Sequence, residues 1–189
     1  MQGAVVDPGG DLEKIMQEAG SAGVSLEKIL LTHAHFDHAG GAHELAGKLS
    51  IPIEGPHIDD QPLIENMGYQ SQSFGFPPVP SFVPDRWLTQ DDLVGIGNLE
   101  LRVLHCPGHT PGHVIFFHPA SRLAFVGDVL FKGSIGRTDF PLGNHSALID
   151  SIRQQLWPLG DDVTFVPGHG PLSTFGNERR SNPYVRDGR

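Results

Sequence analysis

The chain has 189 residues, enough for one domain with its own core, and is 38% hydrophobic and 19% charged, an ordinary globular balance. A net charge of -9 argues against nucleic acid or an anionic membrane as partner, and no apolar run approaches the roughly 20 residues that span a bilayer. The one cysteine, Cys106, excludes an internal disulfide framework and fits a reducing cytosol. The start, Met1-Gln2-Gly3-Ala4-Val5-Val6-Asp7, lacks the basic and apolar regions of a secretory signal, so the expected location is the cytoplasm.

In chain order, Ala4 to Val6 is read as the tail of a strand, stopped by the turn Asp7-Pro8-Gly9-Gly10. Leu12, Ile15, Met16 and Ala19 recur at helical spacing, and Gly20 and Gly23 end that helix. Ser25 to Thr32 is the second strand. It runs straight into Thr32-His33-Ala34-His35-Phe36-Asp37-His38, four metal-ligand side chains within six residues. His33 and His35, two apart on extended backbone, point the same way, while Asp37 and His38 fall on the following turn. One extended pair and one turned pair cannot easily converge on a single ion, so two adjacent ions are expected. Gly40 and Gly41 let backbone pass close to the cluster.

Ala42 to Leu49 reads as a short helix, and Ile51-Pro52-Ile53 as a short strand near a sheet edge. From Gly68 to Pro84 periodicity disappears and prolines accumulate, so a long surface loop is expected, placed to cover a site. Leu99 to Leu104 alternates as a half-buried strand, whereas Val114 to Phe117 and Leu123 to Val126 read as strands buried on both faces. Asn144 caps a helix carrying Leu148, Ile149, Ile152 and Leu156, ended by Pro158 and Gly160. Val163 to Val166 is the last strand, and the tail after Gly176 is short and polar.

Three later turns repeat one context, in which an apolar strand ends, the chain turns tightly and a ligand-type residue sits at the turn. They are Pro107-Gly108-His109, Gly127-Asp128 and Pro167-Gly168-His169. Ligands at the ends of neighbouring strands collect on one rim of a sheet. His33, His35, Asp37, His38, His109, Asp128 and His169 thus make seven ligands, enough for two ions with positions left open for water, a catalytic arrangement. His113, four residues after His109, is assigned to support a ligand. His43, His57, His105, His118 and His145 lack the strand-turn context and are read as structural or surface residues, and Cys106 as a small buried residue.

Taken together, the Thr32–His38 motif, His109, Asp128 and His169 resemble the metallo-β-lactamase superfamily, over nearly the whole chain. Within it the chain is most similar to small, single-domain bacterial glyoxalase II-like hydrolases. The stretches that carry this are residues 6–10, 104–113, 127–131, Gly136-Arg137-Thr138-Asp139-Phe140-Pro141 and 166–171. The resemblance implies an α/β fold, the αββα sandwich, built as one hydrolase domain over residues 1–189. The chain starts almost inside the segment that follows the family's first pair of strands, so the expected sandwich lacks its first one or two strands and exposes a sheet edge. The resemblance also implies two divalent ions: zinc, with iron or manganese as alternatives. It assigns His33, His35 and His109 to one ion, Asp37, His38 and His169 to the other, and Asp128 to both.

The implied reaction is hydrolysis of an S-lactoylglutathione-type thioester by a hydroxide bridging the metals, with Asp37 and Asp128 as catalytic carboxylates. Lys132 and Arg137 are placed to hold a substrate carboxylate, ordinary surface charge being the equal alternative. The expected partner is a small glutathione-linked thioester. Three rivals are an iron-dependent persulfide dioxygenase, a β-lactamase and an inactive truncated metal-binding homologue. The best-known zinc β-lactamases put a cysteine where Asp128 stands, which argues against the second.

Overall fold

The computed structural model describes residues 1–188, which form two compact units. The first comprises residues 1–88 with 95–99, and the second residues 89–94 with 100–188.

In the first unit, β1 (Gln2–Val6), β2 (Ser25–Leu30) and β3 (Ile53–Glu54) form a parallel sheet in that order, so β1 and β3 are both edges. Parallel neighbours need a crossover, and α1 (Leu12–Ser21) supplies the one between β1 and β2. Its periodic residues Leu12, Ile15 and Met16 pack on a core of Ile29, Leu31, Leu45, Ile53 and Met67. Strand β2 ends at Leu30, two residues before the expected Thr32, and α2 (Phe36–Ala39) and α3 (Ala42–Leu49) follow.

The stretch read as a loop from Gly68 is a correction. Helices α4 (Gln61–Glu65) and α5 (Met67–Ser73) occupy residues 61–73, and irregular backbone begins only after them. Pro62 lies in the first turn of α4, where its missing N–H costs nothing. The sequence of α5 is polar; Met67 and Ser71, one turn apart, are its buried residues, so no apolar stripe announces it.

A mixed sheet, all of it in the second unit except residues 95, 96 and 99, comprises β4 (Leu93–Ile96), β5 (Leu99–His105), β6 (Val114–His118), β7 (Leu123–Gly127), β10 (Thr164–Pro167) and β11 (Ser173–Thr174). The order is β11-β10-β7-β6-β5-β4, with β10 parallel to β7. A small hairpin, β8 (Leu130–Phe131) and β9 (Ser134–Ile135), follows β7. Strand β6 is buried along residues 114–117 as expected, but β7 alternates, with Leu123 and Phe125 only half-buried.

The core gathers Ile115, Val126, Leu148, Ile152, Leu156, Phe165 and Phe175. Asn144 caps α6 (His145–Ser151) by accepting from the Ala147 N–H at 3.1 Å, and the chain continues through a π-helical turn to Leu156. A second correction concerns the end of the chain. The residues around Gly176 are helical: α7 (Phe175–Ser181), capped by Thr174, whose hydroxyl accepts from the Asn177 N–H at 3.2 Å. Among the described residues, no helix is long and apolar enough to cross a membrane.

Candidate metal centre

The first unit gathers the motif histidines as the spacing implied. His33 and His35 stand edge to face with ring centroids 5.0 Å apart, and the His33 and His38 rings lie 4.1 Å apart. Helix α2 begins after the extended His35 and turns Asp37 and His38 back, so that Asp37 Oδ2 lies 3.6 Å from His38 Nε2. His33 and His38 are buried, His35 is half-buried and Asp37 is exposed.

What aims these rings lies outside the motif. Asp7, at the end of β1, accepts from the Thr32 N–H at 2.7 Å and from the Thr32 hydroxyl at 2.6 Å, and its Oδ2 lies 3.1 Å from His38 Nδ1. A carboxylate only accepts, so His38 carries its proton on Nδ1 and presents the Nε2 lone pair. The Thr32 hydroxyl spends its proton on Asp7 and accepts from His33 Nδ1 at 3.0 Å, so His33 is fixed in the same tautomer. Asp7 holds φ +51°, the left-handed region costly for a residue with a Cβ, and this bend puts its carboxylate beneath Thr32 and His38. The backbone also passes very close here: a Cβ on Gly9 would sit 1.8 Å from the Asp37 carbonyl oxygen, so the turn read from Asp7-Pro8-Gly9-Gly10 requires glycine for proximity.

Asp60 and Gln70 complete the mounting. Buried Asp60 accepts from the Ala34 N–H at 2.9 Å. Gln70, on α5, accepts from the Phe36 N–H and donates to the Ala34 carbonyl, each at 3.1 Å. From sequence Asp7 reads as a turn residue and Gln70 as part of a loop, because a polar residue anchoring a distant turn has no local signature.

The second unit places its candidate ligands through strand register. β10 and β7 pair Pro167 with Gly127, and the Gly168 N–H donates to the Gly127 carbonyl at 2.8 Å, which sets the Asp128 and His169 turns side by side. His109 Nε2 lies 3.6 Å and His169 Nε2 3.8 Å from the same oxygen, Asp128 Oδ2. His109 Nδ1 lies 2.8 Å from the Arg137 carbonyl, so that nitrogen carries the proton and Nε2 again offers its lone pair. Asp128 and His109 are buried, while the His169 side chain is 57% exposed.

His113, fully buried, accepts from the Asp128 N–H through Nε2 at 3.1 Å, so it braces the main chain at the candidate ligand Asp128. Gly136 is pressed against Asp128: a Cβ there would sit 1.9 Å from the Asp128 carbonyl oxygen. Imidazole nitrogens presenting lone pairs around a carboxylate, at separations too long for hydrogen bonds, are the donor chemistry of a divalent-metal site. These residues fit such an ion in both units.

Of the remaining expectations, Lys132 is exposed at the turn of the β8–β9 hairpin. Arg137 is exposed and forked onto Asp139, with Nε at 2.9 Å and Nη2 at 2.8 Å, over the Phe140 ring. That pairing raises the guanidinium pKa further and lowers that of Asp139. Cys106 is buried, and burial pushes its thiol pKa well up, which disarms it as a nucleophile. His105 binds the Pro111 carbonyl and His118 the Ser121 hydroxyl, local structural roles as read.

The chain belongs to the metallo-beta-lactamase superfamily, whose family model matches residues 2–169. Membership implies divalent-metal binding and points to a hydrolase, and the fold is the mixed α/β fold of that superfamily. Within the superfamily, the chain is 44% identical over 183 residues to the hydroxyacylglutathione hydrolase GloC of Haemophilus influenzae, covering 96% of this chain and 86% of that protein. Among solved structures it is similar to the BLEG-1 B3 metallo-beta-lactamase, at TM-score 0.87 and 37% identity, covering 95% of this chain and 86% of that one. It is equally similar to TTHA1623 in a di-iron-bound form, at TM-score 0.86 and 39% identity, covering 95% and 87%.

Proposed function

We propose that the chain is a dinuclear metal-dependent thioester hydrolase acting on S-lactoylglutathione-type substrates. In this reading the two units work as one hydrolase domain. His33, His35 and His109 hold one ion, Asp37, His38 and His169 the other, and Asp128 is shared. The observation that carries the metal assignment is that Nδ1 of His33, His38 and His109 each faces an oxygen partner, at 3.0, 3.1 and 2.8 Å. Each places its proton on Nδ1 against a partner and so reserves Nε2 for a metal. The likeness to GloC supports the glutathione thioester, and the likeness to a di-iron protein leaves iron beside zinc and manganese as candidate metals.

When bound, two divalent ions would acidify water at neutral pH and supply positive charge for a developing oxyanion. The chain's own residues do the rest. Asp7 and the Arg137 carbonyl hold the imidazoles in orientation by accepting at Nδ1. Asp37, the most exposed carboxylate of the set, is placed to take the proton of the attacking water. A thiolate whose conjugate acid has a pKa of about 8.5 leaves without a dedicated acid, so no further proton donor is required. Among the described residues no ion pair engages Lys132, which is therefore the readier anchor for a substrate carboxylate, with Arg137 beside it in sequence. The partner is a small molecule rather than nucleic acid or membrane, and the cytoplasm is the proposed compartment.

One observation favours a second reading. The likeness to the BLEG-1 B3 metallo-beta-lactamase supports β-lactam hydrolysis by the same residues, although Asp128 stands where the best-known zinc β-lactamases have cysteine. Side-by-side turnover of S-lactoylglutathione and nitrocefin by the metal-replete chain separates the two. The proposed function expects thioester turnover to exceed nitrocefin turnover by at least about 10³-fold, a transition-state difference of roughly 4 kcal/mol. The reverse preference would replace it.

A further inference from the structure

Two buried polar residues near the end of the chain have no part in the ligand set. Glu178, in α7, is 2% exposed, and Asn182, one helical turn later, is fully buried. Burying a carboxylate is costly unless every lone pair finds a donor. Here Oε1 accepts from the Ser173 hydroxyl at 2.6 Å, while Oε2 accepts from the Gly133 N–H at 2.7 Å and from the Asn182 amide at 2.9 Å. These donors are all uncharged. The Asn182 amide also donates to the Ser134 carbonyl at 2.9 Å, with a longer 3.4 Å contact to the Phe131 carbonyl, and its oxygen accepts from the Tyr184 N–H at 3.0 Å. Three main-chain groups of the four-residue span 131–134 are thus grasped by one carboxylate and one amide.

That span is the tip of the β8–β9 hairpin, and its base is held separately. Leu130 pairs with Ile135, and the Gly136 N–H donates to the Val129 carbonyl at 3.3 Å. Phe131 pairs with Ser134 across the turn, and Glu178 and Asn182 add to that pairing the bonds that fix the tip against the rest of the unit. The tip carries Lys132, exposed at the turn, and Phe131, whose ring lies 6.4 Å from that of His169. A hydrophobic core contact could have anchored α7 without orienting these main-chain groups; hydrogen bonds at both ends of the turn fix where its side chains point.

We propose that Glu178 and Asn182 are positioning residues for substrate recognition: they set the hairpin tip so that Phe131 flanks His169 and Lys132 faces an anionic carboxylate of the substrate. The identity of that substrate rests on the proposed function; the clamp does not.

The experiment uses the full-length, metal-loaded chain and three variants, E178A, E178Q and N182A. It measures bound metal, kcat and KM for S-lactoylglutathione, affinity for glutathione by calorimetry, and amide hydrogen exchange across residues 131–134. E178A and N182A should raise KM and weaken glutathione binding about tenfold, with kcat and bound metal within twofold. E178Q should recover most of that loss, because its amide oxygen still accepts from Gly133 and Asn182 while the Ser173 hydroxyl rotates to accept from its NH₂. In a double-mutant cycle, K132A and E178A should be less than additive in KM, which a general loss of stability would not produce.

Unchanged KM in folded, metal-replete E178A, a fall in kcat alone, or equal impairment in E178Q and E178A would overturn the proposal. If E178A does not fold, exchange in the native chain decides. The Gly133 amide should be protected at least tenfold relative to the Lys132 amide, and equal rates would overturn the clamp. A chain that binds glutathione through the clamp yet hydrolyses no thioester would contradict the proposed function and leave this inference standing.

Discussion

The two units carry candidate ligands of the same chemistry but mount them by different means. In the first, four candidates lie within six residues and are aimed by side chains from elsewhere: Asp7 through Thr32 and His38, Asp60 through the Ala34 N–H, and Gln70 through Phe36 and Ala34. In the second, three scattered candidates are aimed mostly by main chain. The β7–β10 register, the Gly168 N–H and the Arg137 carbonyl do there what carboxylates and amides do in the first unit. The exception is His113, whose ring receives the Asp128 N–H. Side-chain mounting is open to point substitution, whereas main-chain mounting responds chiefly where a Cβ would intrude.

The ligands themselves should give the largest effects in either unit. Asp128→Ala is expected to lower kcat/KM for the thioester by about 10³-fold and to reduce bound metal. Full activity in that variant would remove the shared ligand from the account. Next comes the contrast between mountings. Asp7→Ala should weaken metal binding about 10- to 100-fold in chelator competition, because His38 and the Thr32–His33 pair lose their acceptor. Arg137→Ala should leave metal affinity within about twofold, since His109 uses the residue's carbonyl. Equal metal loss in both variants would erase the distinction. Gly136→Ala should cost about 1–3 kcal/mol in denaturant unfolding, the overpacking cost of a Cβ driven into the Asp128 carbonyl.

The smallest effect belongs to Cys106. Its folded pKa is raised by burial, so the unfolded thiol ionises first as pH rises. Below the unfolded value, about 8.5, this group adds no pH dependence. Above it, the native chain should lose stability at up to about 1.4 kcal/mol per pH unit, and Cys106→Ala should lose less. Identical slopes in the two proteins would show that the thiol is not secluded, and thioester turnover of the variant should stay within about twofold of the native chain.

This contrast also explains how much of the molecule was legible in its sequence. All seven candidate ligands could be named because metal ligation restricts residue types and because each later ligand followed an apolar strand and a turn. Helix α1 and the Asn144 cap were readable for similar local reasons. Asp7, Asp60, Gln70 and the Glu178–Asn182 pair were not, since each acts on backbone far away along the chain, or through a helix without an apolar stripe. Helix α5 was missed for that reason, and α7 because its polar sequence looked like a tail. Strand β7 was overread: a short apolar run does not distinguish one buried face from two. The strand-turn context therefore exposes the candidate ligands and hides most of what aims them.

The most direct test of the account is a metal titration of the demetallated chain, followed by S-lactoylglutathione turnover at each point. The account predicts activity that rises to about two equivalents of metal per chain and then levels. A plateau at one equivalent of iron, with oxygen uptake on glutathione persulfide and no thioester turnover, would contradict it.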